Sequence, residues 1–457
     1  MIKLILKSSS KFAYQNSLLI KNWFKIIFLS ILFSNIFTSL YKSSLAVSLT
    51  QLNNSEDIPP ESNLSSVKQS QKNNNGEEIL NEIMNCVEKR MNGYTQADID
   101  GLSKNWTQCT NQVLTIAKDG SIRQDASDRT IKYLQAANFQ IPQPTSRGQA
   151  KVQLNFLPNS KIFTIPVKVG TETKIFLLDT GASTSVIDTQ TAKKLSLYTT
   201  PIPGDIYKQR VICDDCSQVQ ANIHQLPSLT VHSTTNLIPN STTNPVTNSV
   251  TDSESNLILN PAVTAATVTG LHGLGLPQQS MIGNTSGILG LDFLSRFDMV
   301  VNPKKRTLHL LPPSQSITGG IPLQGRLGVM TAKVKINGKG PFTFLVDTGA
   351  ESVILSKSLA QQLSLNDVKG KEIDMMGLGG LAKGKEIKLS SVTVEEHNAL
   401  EIDAVILDTH YFFNYLGVQG ILGQSFLSKY HQHWHFGKRN STGYIQSGSL
   451  ILKNSGD

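Results

Sequence analysis

The spacing of apolar residues changes three times along the chain, and each change predicts a different kind of structure. A lysine-rich start leads into an apolar stretch over residues 26–40 and then to Ser44-Leu45-Ala46. A basic start, a short apolar run and a small-residue site form the pattern of a secretory signal, so residues 1–46 read as a leader cleaved after Ala46. Retention as an N-terminal anchor is the alternative, although a stretch of 15 residues, interrupted by Ser30, Ser34, Asn35, Thr38 and Ser39, falls short of the ~20 that a bilayer helix needs. Residues 47–76 are rich in Asn, Ser and Gln and show no apolar period, which predicts a disordered spacer.

Residues 77–140 carry a helical period. Ile79, Leu80, Ile83, Val87 and Met91 recur at three-and-four spacing until Gly93. A second stripe, Ile99, Leu102, Trp106, Cys109, Val113 and Ile116, follows Thr95, a good N-cap, and a third helix is predicted over 127–137. Cys86 and Cys109 both fall on these stripes; in an exported chain a disulfide between two helices is expected, with two buried free thiols as the alternative. Past Ile141-Pro142-Gln143-Pro144, from about residue 151, short Val/Ile/Thr-rich runs punctuated by Gly, Pro and Asn predict β structure.

Composition narrows the classes without choosing among them. The 457 residues are 39% hydrophobic and 17% charged with 33 Gly, 18 Pro and 4 Cys, which excludes collagen, coiled coil and polytopic membrane protein. The net charge of +8 invites a nucleic-acid partner until it is located. Six lysines (Lys3, Lys7, Lys11, Lys21, Lys25, Lys42) precede residue 47, where there is no Asp or Glu, leaving +2 for the rest. No nucleic-acid partner is therefore expected, and a membrane contact only if the leader is retained.

The β region repeats itself. One copy reads Ile175-Phe-Leu-Leu-Asp179-Thr180-Gly181-Ala182 and reaches Leu195-Ser196-Leu197; the other reads Phe342-Thr-Phe-Leu-Val-Asp347-Thr348-Gly349-Ala350 and reaches Leu363-Ser364-Leu365 at the same offset. Eight of the 19 positions from each Asp are identical. Downstream lie Gly287-Ile-Leu-Gly290 and Gly420-Ile-Leu-Gly423, 108 and 73 residues after their Asp, so the first copy holds 35 extra residues. The tract 233–256, in which 16 of 24 residues are Ser, Thr or Asn, is the natural place for them. Two lobes follow, 151–313 and 320–455. An ionised Asp at the end of an apolar strand is disfavoured unless something satisfies it, and two such sites, each with a distant Gly-Ile-Leu-Gly, are poorly explained by surface turns.

These residues resemble the aspartic proteases of the retropepsin and pepsin clan. The resemblance covers about 151–455 and implies a mainly β, bilobal, pseudo-twofold acid-protease fold, here preceded by a small α-helical unit. It implies that Asp179 and Asp347 are the catalytic pair, that Thr180 and Thr348 hydrogen-bond across the lobe interface, and that Gly181 and Gly349 let backbone amides approach the carboxylates. Two carboxyl groups held close in a desolvated cleft share one proton, so one acts as base on a water and the other as acid. That chemistry needs no cofactor and no metal. The partner is a polypeptide substrate, and the expected state is a monomer with an intramolecular lobe pair.

In that family a β-hairpin flap covers the substrate. Met375-Met376-Gly377-Leu378-Gly379-Gly380 suits such a tip, with an ordinary Gly-rich turn as the alternative. The matching offset in the first lobe falls on Cys213-Asp214-Asp215-Cys216, for which a short structural disulfide is preferred over redox or zinc chemistry, and His272-Gly273-Leu274-Gly275 is a second flap candidate there. His431, His433 and His435 alternate on one strand face; a plain strand is favoured over a metal or pH-sensing site. The leading function is an exported aspartic endopeptidase, in the periplasm or outside the cell. The alternative is a catalytically silent protease-fold module that binds peptide or protein. The helical unit reads equally as a pro-segment or a partner-binding element.

Overall fold

The computed structural model describes residues 74–91, 99–121, 123, 125–137, 143–202, 211–212, 219–234, 265–315, 319–378, 380–408, 410–441 and 443–454. The leader, most of the spacer, Thr95, Cys213, Cys216, Gly379 and nearly all of 233–256 lie outside them. Among the described residues no helix is long and apolar enough to cross a membrane.

Three helices form the N-terminal unit: α1 (Asn74–Met91), α2 (Ile99–Thr115) and α3 (Ala126–Ala136). The first begins inside the segment expected to be spacer. The helical stripes converge as their period requires, burying Ile79, Ile83 and Val87 against Trp106, Cys109 and Leu114, with Tyr133 and Leu134 closing the third side. Cys86 and Cys109 are joined across α1 and α2 with their Cα atoms 5.7 Å apart. Arg129 adds a second tie, donating from Nε to the Val113 carbonyl at 3.2 Å and from Nη2 to Glu82 at 2.6 Å.

The rest is two large sheets. In each lobe the strand that ends at the Asp has the Gly-Ile-Leu strand parallel beside it, and the strand after the Asp loop is antiparallel on the far side. Thus Ile288 faces Leu177 and Val186 in the first lobe, and Ile421 faces Leu345 and Ile354 in the second. The glycine opening each of these central strands is required by closeness. A Cβ on Gly287 would lie 2.4 Å from the Val186 carbonyl, and one on Gly420 2.4 Å from the Ile354 carbonyl.

The lobes are joined by more than the linker. Strands Ala150–Gln153, Thr307–Leu311 and Asp298–Asn302 of the first lobe continue the sheet of the second through Tyr430–Phe436, Ser447–Asn454 and Ile321–Arg326. The central pairing is antiparallel, Val300 opposite His433, so the two equivalent strands of the repeat lie side by side. One face of this sheet is apolar and sealed, with Met299, Val301, Leu308, Trp434 and Leu450 buried. The histidines lie on the other face, where His435 Nδ1 meets Asp298 Oδ1 at 2.9 Å. No cluster able to hold a metal occurs among the described residues.

The extra length of the first lobe leaves from a hairpin. Leu229–His232 pairs with Ala265–Thr269, His232 opposite Ala265, where the second lobe has only a tight turn between Val394 and His397. His272–Leu276 is not a flap. It is an inner strand, parallel to Val186–Asp188 and antiparallel to Asn222–Gln225. Its glycines are there for packing: a Cβ on Gly273 would lie 2.4 Å from Leu226 Cδ1, and one on Gly275 2.1 Å from His224 Nε2.

The Cys86–Cys109 bond closes a loop of separation 23, for which about 3 kcal/mol is expected. Replacing both cysteines by alanine should therefore let limited proteolysis cut between α1 and α2 at protease levels that leave the intact protein whole, with fragments read by mass spectrometry.

Candidate active site

Each Asp is placed by the end of its strand. Asp179 N donates to the Leu289 carbonyl at 3.2 Å and Asp347 N to the Leu422 carbonyl at 3.1 Å, which fastens each loop to the Gly-Ile-Leu strand of its own lobe. The next residue crosses over. Thr180 N donates to Thr348 Oγ1 at 3.0 Å while Thr180 Oγ1 donates to the Val346 carbonyl at 2.9 Å; Thr348 returns both bonds, to Thr180 Oγ1 at 3.0 Å and to the Leu178 carbonyl at 2.9 Å. Both threonines are buried, so the four bonds are shielded from water.

This crossing brings the two carboxyl groups together. They are hydrogen-bonded to one another, and each lies against the other lobe's glycine. A Cβ on Gly181 would sit 2.3 Å from Asp347 Cγ, and one on Gly349 2.5 Å from Asp179 Cγ. Only a residue without a side chain fits at either place. Asp179 Oδ1 accepts from Gly181 N at 2.8 Å and Ala182 N at 3.0 Å, and Asp347 Oδ1 accepts from Gly349 N at 2.7 Å. Burial pushes both carboxyls above the ordinary carboxylate range, and Asp347 much the further because it also faces the charge of Asp179. The pair is suited to holding one proton between two groups.

The dyad opens into a cavity of about 1080 Å³ lined from both lobes and from α2 and α3. The predicted flap is a hairpin at its edge, Lys371–Gly377 paired with Gly380–Val394 and Gly377 opposite Gly380. Its tip crosses to the first lobe: a Cβ on Gly377 would meet the Ile212 carbonyl at 2.4 Å, and Leu378 packs on a cluster that includes Val211, Ala221 and Leu276. Met375, Met376, Gly377 and Leu378 all line the cavity. A further bridge between lobes runs from Ser160 Oγ and Lys161 N to the Glu351 carboxylate, the latter at 3.1 Å.

One buried acid escaped the sequence reading. Asp292 accepts from Ser185 N at 2.9 Å, Ser185 Oγ at 2.6 Å and Phe293 N at 2.8 Å, and burial pushes it up to about 6. The signal was present: a lone acid directly after Gly-Ile-Leu-Gly-Leu, with a serine six residues past Asp179. In the second lobe the same two positions are Ser425 and Val353, and Ser425 Oγ accepts from Val353 N at 2.9 Å. The neighbouring Gln424 donates to the Thr348 carbonyl at 2.9 Å.

Comparison with known proteins finds a family match in each half of the repeat. Residues 165–293 match the family described as aspartyl protease, and residues 332–429 the family described as "gag-polyprotein putative aspartyl protease". Among solved structures, a retropepsin-like aspartic protease from Rickettsia conorii is 22% identical, with 30% of this chain and 94% of that chain covered and a TM-score of 0.20. No curated protein matches the chain. Each matched segment contains one of the two Asp-Thr-Gly-Ala loops, so each half of the repeat is similar to an aspartyl-protease family, and the function this supports is of protease type.

Thr180→Val and Thr348→Val keep the shape but leave a buried amide and carbonyl without partners, at an expected cost of ~2–4 kcal/mol each. Denaturant unfolding should show this, with Thr199→Val, on the exposed edge, near neutral. For Asp292, a folded pKa of about 6 above the unfolded ~3.9 means that the folded state binds the extra proton. Its stabilisation is therefore complete below pH ~4 and is lost as pH rises through ~6. Melting temperature followed over that window should fall more steeply with rising pH in the parent than in Asp292→Asn.

Proposed function

We propose that this protein is an aspartic endopeptidase acting on extended polypeptide, exported from the cytoplasm. The observation that carries the reading is the pair of mutually hydrogen-bonded carboxyls at the floor of a cleft with a hairpin tip over it. Asp179, with two amides on one oxygen, holds the negative charge, and Asp347 holds the proton. A water between them loses a proton to Asp179 as its oxygen attacks the peptide carbonyl. Asp347 donates a hydrogen bond to the developing oxyanion, and the tetrahedral species collapses as the leaving nitrogen takes a proton from the dyad. Hydrolysis is complete with no covalent enzyme intermediate, and each carboxyl ends in the state from which it can repeat the cycle.

The backbone contacts fix this geometry before substrate arrives. The threonine crossing keeps the two loops in register, and the flap places backbone and methionine side chains over the peptide. Export is supported by the leader pattern and by the disulfide of the helical unit, since such bonds persist in oxidising compartments.

The proton count sets the pH dependence. Activity needs one proton on the pair, so kcat/KM should be bell-shaped, falling at low pH as Asp179 protonates and at high pH as Asp347 loses its proton. Because both groups are raised, the bell should be centred above that of two unperturbed carboxyls, which an assay on a denatured protein substrate between pH 3 and 8 would locate. Asp179→Asn and Asp347→Asn should each reduce cleavage by at least ~10³-fold. Full cleavage by either variant would refute the shared-proton mechanism, and no cleavage by the parent would leave a peptide-binding module.

A further inference from the structure

Arg296 and Arg439 come from opposite lobes and both line the cavity that contains the dyad. Arg439 Nη2 donates to Ser295 Oγ at 3.0 Å, which brings its guanidinium beside the residue preceding Arg296. Arg439 Nη1 takes the Gly443 carbonyl at 3.2 Å. Arg296 Nη2 donates to Gln143 Oε1 at 2.9 Å, while its Nε reaches the Asp292 carbonyl only at 3.4 Å. Arg296 Nη1 and Arg439 Nε have no described acceptor.

Two like charges so placed need an explanation. Burial lowers both guanidiniums, Arg296 down to about 10, and the charge of Arg439 weighs on Arg296 more than the carboxylate of Asp292 relieves it. That carboxylate is already engaged by Ser185 and Phe293. Neither arginine is in an ion pair among the described residues. Half-buried cations held together beside a cavity are costly unless an anion joins them, and a guanidinium presents its N–H groups in the spacing of a carboxylate.

We propose that Arg296 and Arg439 form an anion subsite of the cleft that takes a carboxylate of the polypeptide substrate, from an acidic side chain or from the chain's C-terminus. The assignment rests on the peptidase reading for its substrate and on the cavity for its place. Peptides with an acidic group at the matching distance from the scissile bond are preferred, and salt weakens that preference.

The test uses full-length protein carrying Asp347→Asn, so that binding is read without turnover. Fluorescein-labelled peptides with a single Glu moved along the sequence are compared by anisotropy with their Gln twins, and free C-terminal acids with amides. At one Glu position, or for the free acid, binding should be about tenfold tighter than for the neutral twin at low salt. Adding Arg296→Gln should bring the ratio near one, and Arg296→Lys should restore part of it. Arg439→Gln is measured beside a thermal melt: a lower melting temperature with the ratio retained would make Arg439 a strut between lobes and overturn its part. Equal binding of all acidic and neutral twins would overturn the subsite, as would a ratio insensitive to Arg296→Gln. The two readings fail separately. Arginine-dependent acidic binding by a parent that cleaves nothing sinks only the peptidase, and indifferent cleavage of acidic and neutral peptides sinks only the subsite.

Discussion

Four hydrogen bonds made by Thr180 and Thr348 across the lobe interface, two to each other and two to the Val346 and Leu178 carbonyls, hold the two Asp loops in place. Each threonine uses its own amide and hydroxyl on the opposite lobe, so neither Asp loop has its polar groups satisfied alone. A buried amide without a partner is costly, and separating the lobes would strand several at once. The same bonds that keep the halves together therefore fix the distance between the carboxyls. The closeness of those carboxyls is imposed by backbone groups and threonine hydroxyls, none of which carries a charge.

Much of this was legible from residue spacing. The helical stripes of α1 and α2 named most of their packing faces, because a three-and-four period leaves little choice of which side turns inward. The repeat located both Asp loops and both Gly-Ile-Leu strands, because the chain must bring the same short segments together in each lobe. Gly377 and Gly380 were readable as the tip of a hairpin, where they pair opposite each other.

What escaped depends on partners far away in sequence. The repeat aligns the histidine strand with Asp298–Asn302, yet nothing in either segment says that the two lie in contact with the lobe axis between them. Glycine misled at His272–Leu276, where it makes room for Leu226 and His224 in the middle of a sheet and marks no turn. Asp292 was hidden inside an apolar motif whose pattern drew attention to its glycines. Arg296 and Arg439, 143 positions apart by their numbers, become neighbours only when Ser295 and the loop before the last strand are folded together.

Joining both halves on one polypeptide has released them from copying each other. In an assembly of two identical chains every change appears twice, and a substitution useful on one side of the axis must be tolerated on the other. Here Ser185 and Asp292 on one side stand against Val353 and Ser425 on the other, and a long excursion after His232 stands against a tight turn before His397. The common scaffold is kept where the axis demands it, and each half is otherwise free to specialise.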